Sequence, residues 1–158
     1  ALLHDVGKIG VDDAILRKPG RLTDKEFSDI KNHTVIGSQI LSRISSMPEL
    51  QYGALYHHER WDGKGYPRGL KGEEIPEAAR IIAVADAYDA MTSNRSYRKA
   101  LTQDCVHDEI VNGIGRQFWP PAARAMLKMM DQDIHYDMRQ KNDESSQNDE
   151  QKYEYGIS

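Results

Sequence analysis

Residues 77–93 read EAARIIAVADAYDAMTS, and this stretch decides the fold. It is an apolar helix whose small residues predict a buried, closely packed element. Asp86 falls four residues after Ile82 and three before Asp89, so the three share one helical face. Among these apolar neighbours Asp86 is the most informative residue in the chain. A buried carboxylate without a partner costs several kcal/mol, so Asp86 calls for a cation or strong donors.

Toward the N-terminus the chain keeps reading as helices. Residues 61–76, WDGKGYPRGLKGEEIP, hold four glycines and two prolines. The loop is longer than an ordinary connection, and long loops are often functional. Before it, Pro48 starts a helix that carries Leu50, Ala54 and Leu55 and ends at His57 and His58. Thr23 and Glu26 form a capping box. Phe27, Ile30, Gly37, Ile40, Leu41 and Ile44 then recur at helical spacing, and His33 falls on the same inward face. Residues 11–22, with Pro19-Gly20, are a connector. Residues 1–8 read as the last turns of a helix stopped near Gly7 and Gly10, the cut end of one that began upstream.

Toward the C-terminus, Thr102 caps a helix with Val106, Ile110, Val111 and Ile114, and Pro120-Pro121 opens a last one with Met126, Leu127 and Met130. No strand alternation or internal repeat stands out. The expected architecture is an all-α helical bundle over residues 1–130. Residues 131–158 form a polar acidic tail, too poor in apolar residues to offset its ordering entropy and so expected to be disordered.

The bulk properties narrow the function. Of the 158 residues 39% are hydrophobic, enough for one core, and no run nears the roughly 20 residues that cross a bilayer. One cysteine, Cys105, permits no intramolecular disulfide and points to a cytoplasmic setting. The net charge of −4 is concentrated in the tail. The nearly neutral body offers no broad basic face for duplex nucleic acid.

Chemistry gathers in four segments. His4-Asp5 ends the first, His33 lies in the next, His57-His58 ends the third, and Asp86 sits in the fourth. A single inward histidine is more often a hydrogen-bonded core residue, and a lone His-His pair says less still. Together with Asp86 they make a ligand set. Imidazole and carboxylate suit zinc, iron, manganese and nickel, and bundles build metal sites from facing helices. A carboxylate such as Asp5 is able to bridge two ions, and a pair of ions is a known device for phosphoryl chemistry.

In order, ALLHDVGKIG, KNHTVIG, HHERWDGKGYPRGLKGEEIP and ARIIAVADAYDAMTSNRSYRKAL closely resemble the HD-GYP family over residues 1 to about 130. The HD-GYP family is the branch of the HD phosphohydrolases that cleaves cyclic di-GMP. The resemblance implies an HD-domain helical bundle with a glycine-rich GYP loop. It implies a metal-dependent phosphodiesterase giving pGpG, GMP or both, with two divalent ions, iron or manganese. Asp5 would bridge them, His33, His57 and His58 would hold one, and His4 and Asp86 the other. Lys8 would meet the scissile phosphate and act with Asp5 in catalysis. Gly65, Tyr66 and Pro67, with Arg95 and Arg98, would line the substrate. The partner is a small cyclic dinucleotide, with a homodimer or a diguanylate cyclase as further associations, and no membrane.

Two departures qualify the resemblance. Superfamily members draw a further histidine from a helix upstream of the HD pair, whereas His4 is the fourth residue here. The alternative function is therefore a non-catalytic binding module. The family also usually has Asp where Trp119 stands, which weakens the cap of the last helix.

Overall fold

The computed structural model describes residues 2–94, 99–133 and 135–138. Among them the chain is helical, and its one bridge-type pairing joins Ile114 to Phe118. The N-terminus differs from the expected α-helix end. Residues 2–5 form turns that run into a 3-10 helix, Val6–Gly10. The connector likewise contains a short helix, α1 (Asp13–Leu16), whose N-cap Asp12 accepts the Ala14 N–H.

The capping box forms as expected. Thr23 accepts from the Glu26 N–H, Glu26 accepts from the Thr23 N–H, and α2 (Asp24–Lys31) begins. The one helix expected through Ile44 is instead two, α2 and α3 (His33–Leu41), meeting at Asn32. The cause is local competition for carbonyls. The His33 ring takes the Ile30 carbonyl through Nδ1, and Thr34 Oγ1 takes that of Lys31. The break turns α2 outward, so Phe27 is 46% exposed rather than in the core, while His33, Gly37 and Leu41 remain buried on α3.

Helix α4 (Glu49–Tyr56) starts after Pro48 and delivers His57 and His58 at its end. Helix α5 (Glu77–Thr92) is the central element. Gly53 of α4 lets it approach, since a Cβ there would lie 2.8 Å from Ile82 Cδ1. Helices α6 (Gln103–Gly113) and α7 (Pro120–Gln132) follow, the former capped by Thr102 as expected.

The apolar core lies between α5, α6 and α7 and contains Val84, Tyr88, Val106, Ile110, Phe118, Ala123 and Met130. Its burial is the main drive for this half of the bundle. The histidines occupy the other half, where the 3-10 helix, α3 and α4 pack together. At Trp119 the side chain makes no capping hydrogen bond, as expected, but its ring lies 4.4 Å from the Arg80 guanidinium. That cation–π contact ties α7 to α5. No described helix is long and apolar enough to cross a membrane. Residues 139–158 of the expected tail lie outside the described residues.

Candidate metal centre

Two close approaches of backbone bring the chemical groups together. The 3-10 helix rests directly on α3, where a Cβ on Gly7 would stand 1.9 Å from the His33 carbonyl oxygen and 2.4 Å from the Gly37 nitrogen. Only glycine fits, and the contact sets His4-Asp5 beside His33. Gly65 is seated as tightly on the His58–Arg60 backbone, its Cβ position 2.5 Å from the His58 carbonyl oxygen.

The result is two groups of side chains sharing one carboxylate. Asp5, His33, His57 and His58 form the first, and His4, Asp5 and Asp86 the second, each within 4.8 Å among its potential ligand atoms. Asp5 Oδ1 lies 3.3 Å from His33 Nε2 and 3.8 Å from His57 Nε2. Asp5 Oδ2 faces the other way, 3.4 Å from His4 Nε2 and paired with Lys8 Nζ. His4 Nε2 is also 3.4 Å from Asp86 Oδ1. All six expected ligand residues therefore meet, and Lys8 adjoins them with its side chain 45% exposed. Arg95 and Arg98 lie outside the described residues.

The tautomers follow from the surroundings. His33 Nδ1 donates to the Ile30 carbonyl, and His57 Nδ1 donates to that of Ala54 at 2.9 Å. Each neutral ring then presents a lone pair at Nε2. Those two atoms stand 3.4 Å apart, beside a buried Asp5 Oδ1 that has no hydrogen-bond partner. Three acceptors facing one another without a proton between them fit a cation, and the imidazole–carboxylate donor set fits a divalent transition metal.

The electrostatics keep the groups in ligand form. Burial, reinforced by the His4 charge, pushes the His57 imidazole down to about 4. Burial and then His57 also hold His58 well below the usual histidine value. Burial pulls the Asp5 and Asp86 carboxyls up. The His33 ring and the Lys8 ammonium beside Asp5, and the His4 ring beside Asp86, more than offset it, so both stay below the usual carboxylate range.

The GYP loop closes over one side. The Tyr66 ring stacks on His58 with centroids 4.7 Å apart and planes at 25°. Burial, then Asp86 and Asp5, raises its hydroxyl above the usual tyrosine value, so it stays neutral. Glu59, only 3% exposed, accepts the Arg68 N–H at 2.7 Å and the Leu70 N–H at 3.0 Å. Sequence reasoning gave Glu59 no role and read Gly7 only as a helix stop. The available signal was position: a carboxylate directly before a loop with many unpaired N–H groups, and a glycine directly after the His-Asp pair.

A helical bundle that gathers His and Asp from four segments around one shared carboxylate has the architecture of an HD-type metal domain. A family model described as "HD domain" matches residues 1–118. The chain belongs to that family, and Gly65-Tyr66-Pro67 places it in the HD-GYP branch. A cyclic di-GMP phosphodiesterase of Thermotoga maritima is 48% identical over 151 residues, 94% of this chain and 41% of that protein. One from Vibrio cholerae is 46% identical over 134 residues, covering 80% and 27% of the two chains. The 3'3'-cGAMP-specific phosphodiesterase 2 of Vibrio cholerae is 40% identical over 134 residues, covering 84% and 26%. The chain thus spans about two fifths or less of these relatives' lengths. Among solved structures, a Vibrio cholerae cyclic GMP-AMP phosphodiesterase, V-cGAP3, shares the fold with TM-score 0.57. It is 18% identical, and the match covers 85% of this chain and 37% of that one.

Proposed function

We propose that this domain hydrolyses cyclic di-GMP to pGpG, GMP or both, using two divalent cations, iron or manganese. The observation that carries the reading is the Asp5 carboxylate, with Oδ1 turned to His33 and His57 and Oδ2 to His4. That is the geometry of a ligand bridging two sites. The curated relatives are named as cyclic dinucleotide phosphodiesterases, which supports the same substrate class. Bound divalent ions would supply Lewis acidity at phosphorus and activate water for attack.

The residues of the chain supply the rest. His33, His57 and His58 hold one position and His4 and Asp86 the other, with the Nδ1–H bonds to backbone carbonyls fixing ring orientation. Lys8 offers an exposed ammonium at the edge of the centre, placed to offset charge developing on a phosphoryl oxygen. Gly65 and Pro67 hold Tyr66 over His58, at the side where substrate enters. Arg95 and Arg98 contribute planar guanidinium forks for the remaining phosphate. The single cysteine and the HD-GYP resemblance support a cytoplasmic protein that pairs with a second copy or a diguanylate cyclase.

The test is to load the protein with manganese or iron, add cyclic di-GMP, and separate the nucleotides by chromatography. Appearance of pGpG or GMP is expected, with 3'3'-cGAMP and mononucleotides as comparison substrates. No turnover of cyclic di-GMP under any metal condition would sink the reading.

A further inference from the structure

The chain has two tryptophans, Trp61 and Trp119, and both adjoin one cation. The Arg80 guanidinium lies 4.4 Å from the Trp119 ring centroid and 5.8 Å from that of Trp61. Among the described residues Arg80 has no carboxylate partner, and its buried Nε makes no hydrogen bond. The two indole rings are what holds its charge.

Trp61 is the residue at which the glycine-rich loop closes. Its N–H donates to the Gln117 carbonyl at 3.1 Å, and the Asp62 N–H donates to that of Arg116 at 2.7 Å. These bonds seat the start of the loop on the turn before α7. The Trp61 carbonyl accepts the Gly72 N–H at 3.0 Å, so both ends of the stretch that carries Tyr66 meet at Trp61. His58 lies three residues before Trp61, and Asp86 lies six residues after Arg80, about 9 Å further along α5. Arg80 thus links the segment that delivers His57 and His58 to the helix that delivers Asp86. The backbone bonds fix Trp61 against the turn, and the Arg80 contact fixes it against α5.

We infer that Arg80 is a positioning residue of the metal centre, acting through Trp61 to hold the loop so that Tyr66 stays stacked on His58. The inference rests on the metal-centre reading above and adds a residue outside both ligand groups. Support of this kind restricts a ligand before the metal arrives. Coupling is reciprocal, so a metal that orders His58 also acts on the tryptophans at Arg80.

The experiment is a calorimetric titration with Zn²⁺ of the parent, Arg80→Met, Arg80→Lys, Tyr66→Leu and the Arg80→Met/Tyr66→Leu double variant. Arg80→Met removes the charge and is expected to bind zinc about tenfold more weakly, the low end for losing a residue that supports a ligand. Arg80→Lys keeps a cation for the rings and is expected to stay within about threefold of the parent. Added to Tyr66→Leu, Arg80→Met is expected to weaken binding by less than about twofold more, because the route through the stacked ring is already cut. A contribution to general packing would instead multiply the two losses. Tryptophan emission is followed in the same titrations, since zinc is a closed-shell ion and both indoles report on Arg80. The parent is expected to change emission with the calorimetric midpoint, and Arg80→Met to show less than about half that change. Parent-like affinity in Arg80→Met, a loss that Arg80→Lys does not restore, or multiplied losses in the double variant would overturn the positioning role. So would zinc binding to the parent with no change in emission, a result that needs no variant to fold. Cyclic di-GMP turnover is assayed on the same samples. Its absence beside the expected zinc pattern would count against the phosphodiesterase reading alone and leave the role of Arg80 decided.

Discussion

His33 and His57 are oriented by backbone carbonyls, whereas the His58 ring makes no hydrogen bond among the described residues and is oriented by the Tyr66 ring stacked on it. The difference separates the variants. Tyr66→Phe keeps the stacked ring and is expected to retain metal affinity within about threefold. Tyr66→Leu frees the imidazole and is expected to weaken metal binding about 10–100-fold, the usual cost of losing a residue that orients a ligand. Calorimetric titration with Mn²⁺ measures both. Asp5 stands at the junction of the two groups, so Asp5→Ala is expected to empty both positions and lower turnover by more than about a hundredfold. Metal analysis of the purified variant checks this, and full occupancy would remove Asp5 from the bridging role.

Elements meet through close-packed glycines and one buried carboxylate. Gly7 lies so close to α3 that a methyl group has no space, and backbone atoms cannot swing aside as a side chain does. Gly7→Ala is expected to destabilise the fold by about 3 kcal/mol or more, read as a lower urea midpoint. A midpoint within error of the parent would show that the 3-10 helix does not sit on α3. Glu59 joins the end of α4 to the loop through the N–H groups of Arg68 and Leu70. Glu59→Ala leaves both unpaired, at about 1–3 kcal/mol. Faster proteolysis within residues 61–76 is the expected sign, and an unchanged cleavage rate would refute the staple. Capping boxes, proline starts and the apolar run of α5 were legible because they act within one helical turn. The break at Asn32 was not, because the Ile30 carbonyl is lost to a ring that only the folded site holds in place.

At the level of the whole molecule, the centre makes the metal-free fold sensitive to acid. The folded chain keeps His57 unprotonated down to about 4, while an unfolded chain protonates it near 6.5. Below about 6.5 the unfolded state therefore binds more protons, and stability falls as the pH drops toward 4. Asp5 and Asp86, held below the usual carboxylate range, act in the same direction: their contribution is present above that range and is lost as acid protonates them. The metal-free protein is expected to show a melting temperature that declines steadily from pH 7 to pH 4. Saturating Mn²⁺ at pH 7 raises it in a concentration-dependent way. A flat profile would mean that these groups are solvated rather than packed together. The sequence by itself determined α4 to α7, the Thr23 and Thr102 caps, the residue types of the centre and the HD-GYP resemblance, since all depend on neighbours within a few positions or on ordered motifs. Tertiary structure alone decided that Asp5 turns one oxygen to each group, that His58 is held by stacking, and that α2 swings out at Asn32. His4 and Asp86 are 82 positions apart, and no local rule sets a distance of 3.4 Å between them. Gly7, where two backbones close to contact, and Gly53, where Ile82 Cδ1 takes the space of a Cβ, let the elements that carry them pack together.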